Sequence, residues 1–201
     1  MTNIIQTEEA IVPKLEAAAE RVQKAHRAAG SVIFGQEMVI ERALITILSG
    51  GHALLIGVPG LAKTLLVETL GRVLGLDATR VQFTPDLMPS DVGYPDLAAE
   101  RRMLYATTGL DDSPVQSVLS ANDLLSIQRL VRQMPVPDRV VEAILRLVRS
   151  ARPGTGANEE TDQFIAWGPG PRASQAFMLA IRAKALIDGR LAPSVEAVVA
   201  L

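Results

Sequence analysis

Lys63 and Thr64 directly follow Gly57-Val58-Pro59-Gly60-Leu61-Ala62, a stretch with little side-chain bulk. A loop of this kind turns successive backbone N–H groups inward, and a helix starting at its end adds a partial positive charge. That cradle suits the oxygens of a triphosphate. The Lys63 ammonium can reach the β- and γ-phosphates, and the Thr64 hydroxyl can ligate a bound Mg²⁺. The spacing matches G-x-x-x-x-G-K-[ST] except that Ala62 replaces the second glycine, a change the helical dihedrals of a helix start tolerate. The bland alternative is a strand-to-helix turn carrying an exposed lysine. The elements on either side decide against it.

Before the loop, Ala53-Leu54-Leu55-Ile56 is a short apolar run bounded by glycines, as expected of a strand covered on both faces of a parallel sheet. After it, a helix is expected over 65–74, closed by Gly75, and Arg80-Val81-Gln82-Phe83-Thr84 reads as the next strand. Strand, glycine loop, helix, strand is the setting a phosphate loop requires. Upstream, the spacing of Leu15, Ala18, Ala19, Val22 and Ala25 predicts a helix from Pro13 to Ala29, with Gly30 as its left-handed cap. A second helix is expected over 37–48, stopped by Gly50-Gly51.

From Tyr94 the pattern becomes helical. Pro95 can start a helix through Thr107, and Ser120-Ala121-Asn122-Asp123 resembles a capping box for a helix reaching Gln133. Asp138 is expected to cap a further helix with Val141, Ile144, Leu145 and Val148 as its apolar stripe. Residues 152–161 read as a surface loop, 171–188 as a helix followed by Gly189, and Ser194 as the cap of a last one. His26, His52 and Trp167 are assigned structural roles, Trp167 as a packing anchor.

Composition sets the limits. The 201 residues are 48% hydrophobic with 3% aromatic, so the core is built from aliphatic side chains. The net charge of −2 is spread evenly, with 8 basic and 10 acidic residues in 1–91 and 12 of each in 92–201. No nucleic-acid footprint stands out. The absence of cysteine excludes disulfides, thiolate metal sites and cysteine nucleophiles. Without a signal-like N-terminus or an apolar run of about 20 residues, the expected location is the cytoplasm, with no membrane span.

Four stretches in order resemble the MoxR branch of the AAA+ ATPases. These are Val32-Ile33-Phe34-Gly35-Gln36, the 57–64 loop with its alanine before the lysine, Gln82–Asp91, and Gly168-Pro169-Gly170-Pro171-Arg172-Ala173-Ser174. The resemblance implies an α/β P-loop core followed by an all-helical lid. It places an N-terminal helix at 1–30, a P-loop module at 31–91 and the lid at 92–201. It implies ATP or ADP with Mg²⁺, held by Val32, Ile33, Gly35, Gly57, Pro59, Gly60, Leu61, Ala62, Lys63, Thr64, Leu65 and Arg172. Lys63 and Arg172 carry the catalytic roles, the latter as a lid arginine at the γ-phosphate. It further implies a ring, commonly a hexamer, and chaperone-like work on partners that often carry a von Willebrand A domain. Ile56 departs from the pattern, since many relatives have Glu there.

The hydrolytic parts are missing. No apolar run after Phe83 ends in an acidic pair: Asp111-Asp112 follows a Gly-Leu turn, and Glu159-Glu160 falls in the expected loop. The family pattern passes from Asp91 straight to Val92 without the acidic-pair strand, the sensor strand or the arginine finger. Either the polypeptide is internally deleted, or two stretches of a longer protein are joined there. The second is preferred, because a two-stranded parallel sheet is short of core. It predicts an intact mass above 21.5 kDa. A non-hydrolysing nucleotide-binding adaptor is the alternative if the deletion is genuine.

Overall fold

Helix ends are written most clearly into this chain. In the computed structural model, which describes residues 2–57, 63–79, 97, 101, 116–154 and 159–201 with side chains from residue 11 onward, eight helices follow one another. They are α1 (Thr2–Gly30), α2 (Glu37–Ser49), α3 (Lys63–Val73), α4 (Ala121–Gln133), α5 (Asp138–Ser150), α6 (Glu159–Phe164), α7 (Pro171–Ile187) and α8 (Val195–Ala200).

Three of them stop in the same way. After α3, Leu76 N–H donates to Gly71 O at 2.8 Å and Gly75 N–H to Arg72 O at 3.1 Å, the paired bonds of a Schellman motif. The motif needs a left-handed residue, and Gly75 has φ 62°. A Cβ on Gly75 would also lie 2.4 Å from Leu119 O, so glycine is required twice over. Gly50 after α2 and Gly189 after α7 close the same pair of bonds. Gly30, expected as a left-handed cap, is instead part of α1 and is not among the glycines with positive φ. Pro13, expected in a first turn, lies inside α1. Its ring removes one backbone donor without ending the helix.

The start of α4 is the expected capping box. Asp123 N–H donates to Ser120 Oγ at 3.2 Å, while Ser120 N–H donates back to Asp123 Oδ2 at 3.0 Å. Arg21 adds an ion pair to the same carboxylate at 2.5 Å. Asp138 does not cap α5; it lies in the first turn, with Pro137 as the N-cap. Ser194 does cap α8, accepting from Ala197 N–H.

Two compact units emerge, one from residues 21–44 and 52–126, the other from 1–20, 45–51 and 127–201. In the first, Val22, Ala25, Ile33, Ile40, Leu44, Leu66, Leu70, Val73 and Leu119 are buried. In the second, Val140, Ile144 and Val148 of α5 pack with Ile181 of α7 and Val198 of α8. Each fully buried aliphatic side chain contributes about 1.5–3 kcal/mol. Ile144 and Val148 of the expected α5 stripe are buried, but Val140 takes the place of Val141, which is half-buried, and Leu145 is exposed. The 140/144/148 spacing of four residues selects that face once α7 and α8 cover it.

Ala53–Ile56 is not a strand. Residues 51–57 have no regular structure, with Leu54 84% and Ile56 88% exposed, and no strand occurs among the described residues. A strand needs a neighbour to satisfy its N–H and C=O groups, and among the described residues no strand stands beside this run. The expected strand 80–84 lies outside the described residues, as does most of the helix expected over 95–107. The expected loop 152–161 ends in a helical turn, since α6 begins at Glu159. No helix of the described residues is long and apolar enough to cross a membrane.

Candidate functional site

The first residue of α3 is Lys63, and no acidic side chain occupies that first turn. A cation at the positive end of a helix is unfavourable by roughly 0.3–1 kcal/mol unless something negative joins it. The Nζ of Lys63 donates to the carbonyl oxygen of Gly57 at 2.6 Å. A Cβ on Gly57 would meet Lys63 Nζ at 3.7 Å, an ordinary contact, so the close bond is made by the lysine and not forced by crowding.

Beside this bond is a cavity of about 380 Å³, lined by Leu55, Lys63, Thr64, Val67, Glu68, Ala78 and Thr79. That volume is in the range of small-ligand pockets, about 300–1,000 Å³. Its polar groups are one ammonium, two hydroxyls and one carboxylate. Thr64 and Glu68 are one turn apart on α3, so both face it. Glu68, Val67, Ala78 and Thr79 were not among the sequence-predicted residues. For Glu68 the signal was available, four residues after Thr64; for Ala78 and Thr79 there was none.

A hard divalent cation accepts hydroxyl, carboxylate and phosphate oxygens and keeps several waters. Thr64 with phosphate oxygens and water fits Mg²⁺, and Glu68 is a carboxylate within the same cavity. Among the described residues no group of three His, Asp or Glu side chains forms a metal site without such a ligand.

The other predicted residues divide. Pro59, Gly60, Leu61 and Ala62 lie outside the described residues. Ile33 is 1% exposed and belongs to the core. Val32 is half-buried, Gly35 is exposed with φ 71°, and Leu65 is 39% exposed; none lines the cavity. Arg172 is exposed in the first turn of α7, which again lacks an acidic residue. Like Lys63, it is a cation placed where the helix dipole favours an anion.

Three structural assignments change. Trp167 is 93% exposed and anchors nothing in the fold. His52 is exposed, with no buried strand after it. Glu159 and Glu160 open a helix instead of lying in a loop. His26 remains structural in character: its Nε2 is buried without a partner, and it does not line the cavity.

Residues 52–123 match the family model described as "ATPase family associated with various cellular activities (AAA)". The chain is 26% identical to "Chaperone MoxR1" of Mycobacterium tuberculosis over 254 aligned positions, covering 79% of this chain and 67% of that protein. It is 40% identical to "Protein MoxR" of Paracoccus denitrificans over 80 residues, 40% of this chain and 24% of that one. A crystal structure of a "putative ATPase" from Cytophaga hutchinsonii superposes with TM-score 0.82 at 21% identity, covering 98% of this chain and 88% of the other. The first of these alignments is longer than the chain itself. Since 79% of 201 residues is about 159, roughly 95 of the 254 positions face no residue here.

Proposed function

From its membership of the MoxR family of AAA+ ATPases, we infer that this chain binds Mg-ATP on the 57–65 loop and helix start. The observation carrying this reading is the Lys63 ammonium, held at 2.6 Å on the Gly57 carbonyl beside a cavity of about 380 Å³. On binding, Lys63 exchanges that carbonyl for β- and γ-phosphate oxygens, and Thr64 ligates the Mg²⁺. Backbone N–H groups of Gly60–Thr64 take the remaining oxygens. Pro59, Leu61, Ala62 and Leu65 complete the cradle, Val32 and Gly35 serve the adenine side with Ile33 packed in the core beneath them, and Arg172 is a further phosphate contact.

The proposed activity of the family core is ATP hydrolysis coupled to chaperone-like remodelling of partner proteins by a cytoplasmic ring, commonly of six subunits. Von Willebrand A domain proteins are the partners the resemblance suggests. Hydrolysis also needs an acidic pair to hold Mg²⁺ and activate water. The roughly 95 unmatched positions of the mycobacterial relative support a second reading for these 201 residues alone: a nucleotide-binding adaptor that holds ATP without cleaving it.

The test is a fluorescent-ATP titration of the wild type and Lys63→Ala. Lys63 gives up one charge-assisted carbonyl bond and gains two, each of about 1.5–3 kcal/mol, a net of about 1.5–3 kcal/mol. The variant then binds roughly 10- to 200-fold more weakly. Equal affinity in the two proteins refutes the assignment.

A further inference from the structure

Aromatic side chains are scarce in this chain, with one tryptophan and four phenylalanines. Trp167 nevertheless stands 93% exposed, beside Phe164 at 75% and Ile165 at 40%. Their backbone is firmly held. Gly168 sits so close to α5's C-terminal extension that a Cβ on it would lie 2.6 Å from Arg152 Cα. Arg152 Nε donates to Pro169 O at 2.8 Å, and Gly154 N–H donates to Asp162 Oδ1 at 2.6 Å. Ile165 N–H donates to the carbonyl of Thr161, itself buried. A tryptophan held out from a fixed backbone is a ready-made anchor, since little entropy is lost when it is covered.

The surroundings of this patch are acidic. Glu159, Glu160 and Asp162 occupy the first turn of α6. The same unit carries the opposite combination on α5. With Val140, Ile144 and Val148 turned into the core, the helix exposes Leu145, Arg146 and Arg149, with Arg139 beside them and Asp138 and Glu142 as the two acids of the same face. One surface is acidic and aromatic; the other has an exposed leucine and three arginines against two acids, with the arginines in excess toward its C-terminal end at Arg146 and Arg149. Aromatic and arginine residues are those that dominate protein interfaces.

We propose that these two surfaces are partners across copies of this chain. The Glu159, Glu160, Phe164, Ile165 and Trp167 patch of one copy seats on the Leu145, Arg146 and Arg149 face of a second. The occupant is a second copy because both complementary halves are on one polypeptide. Pairing unlike surfaces makes a contact that can repeat from copy to copy and close into a ring. The proposal deepens the self-assembly suggested above and rests on it, but requires no nucleotide.

The test is sedimentation velocity over a concentration series, with the emission of the sole tryptophan recorded alongside. The wild type is expected to associate as concentration rises, less so at high salt, with Trp167 emission shifting to the blue as it leaves water. Trp167→Ser with Phe164→Ser, and separately Arg146→Glu with Arg149→Glu, are expected to weaken association at least about thirtyfold. Adding Glu159→Lys with Glu160→Lys chains to the Arg146→Glu, Arg149→Glu chains restores it. All are exposed positions, and far-ultraviolet circular dichroism checks that each variant folds. An oligomer unchanged by the variants overturns the surface while leaving self-assembly standing. A wild type that stays monomeric, its emission constant, overturns both. Dissociation by the arginine variants without rescue by the swapped pair overturns the pairing of these two patches.

Discussion

Replacing Leu54 and Ile56 together by alanine distinguishes a covered strand from the exposed segment found here. Leu54 is 84% and Ile56 88% exposed, so only about a sixth and an eighth of each side chain is withdrawn from water. Complete burial of such side chains contributes about 1.5–3 kcal/mol. The fraction withdrawn then amounts to roughly 0.2–0.5 kcal/mol at each position, and the double variant loses less than about 1 kcal/mol. In a closed parallel sheet the same truncations leave two cavities, costing about 2–5 kcal/mol apiece. The two cases differ several-fold. Urea unfolding followed by circular dichroism resolves them, as does thermal melting, where about 1 kcal/mol corresponds to roughly 2–4 °C at this size. A loss above about 3 kcal/mol refutes the exposed segment and restores the strand.

Two further outcomes follow from the packing and the capping box. Ile144, 1% exposed at the centre of the α5–α7–α8 core, should cost about 2–5 kcal/mol on replacement by alanine, read from the urea midpoint. The Arg21 guanidinium and then Ser120 hold the Asp123 carboxyl well below the usual carboxylate range. A depressed folded-state value means the stabilisation is complete above the unfolded value of about 3.9 and is lost as pH falls below it toward the folded value. The stability gap between wild type and Asp123→Asn should therefore be constant from pH 7 to about 5 and narrow below about pH 4. A gap that stays constant down to pH 2 contradicts this account of the cap.

What the sequence made legible was local. Gly50, Gly75 and Gly189 ended their helices where expected because a Schellman motif is decided within six residues. The Ser120–Asp123 box fixed the start of α4 for the same reason. What failed was decided by neighbours. Ala53–Ile56 has the composition of a buried strand, but strand character requires partners, and none accompanies it among the described residues. On α5, two adjacent stripes were compatible with the sequence, and packing on α7 and α8 selected Val140 over Val141. Trp167 was expected inside because large apolar side chains usually are; the fixed backbone around Gly168 turns it outward. At the candidate site, Lys63 and Thr64 were legible from loop spacing, because phosphate chemistry constrains residue type and distance. Ala78 and Thr79 have no such signature and enter the cavity through the turn after α3.

That Lys63 and Thr64 hold a triphosphate is tested most directly by equilibrium titration of the wild-type chain with Mg-ATP, with released phosphate assayed in the same samples. Saturable binding is predicted, and its loss in Lys63→Ala. Absence of saturable binding up to millimolar Mg-ATP contradicts the assignment. Lys63-dependent phosphate release then selects the ATPase, and binding without release the adaptor.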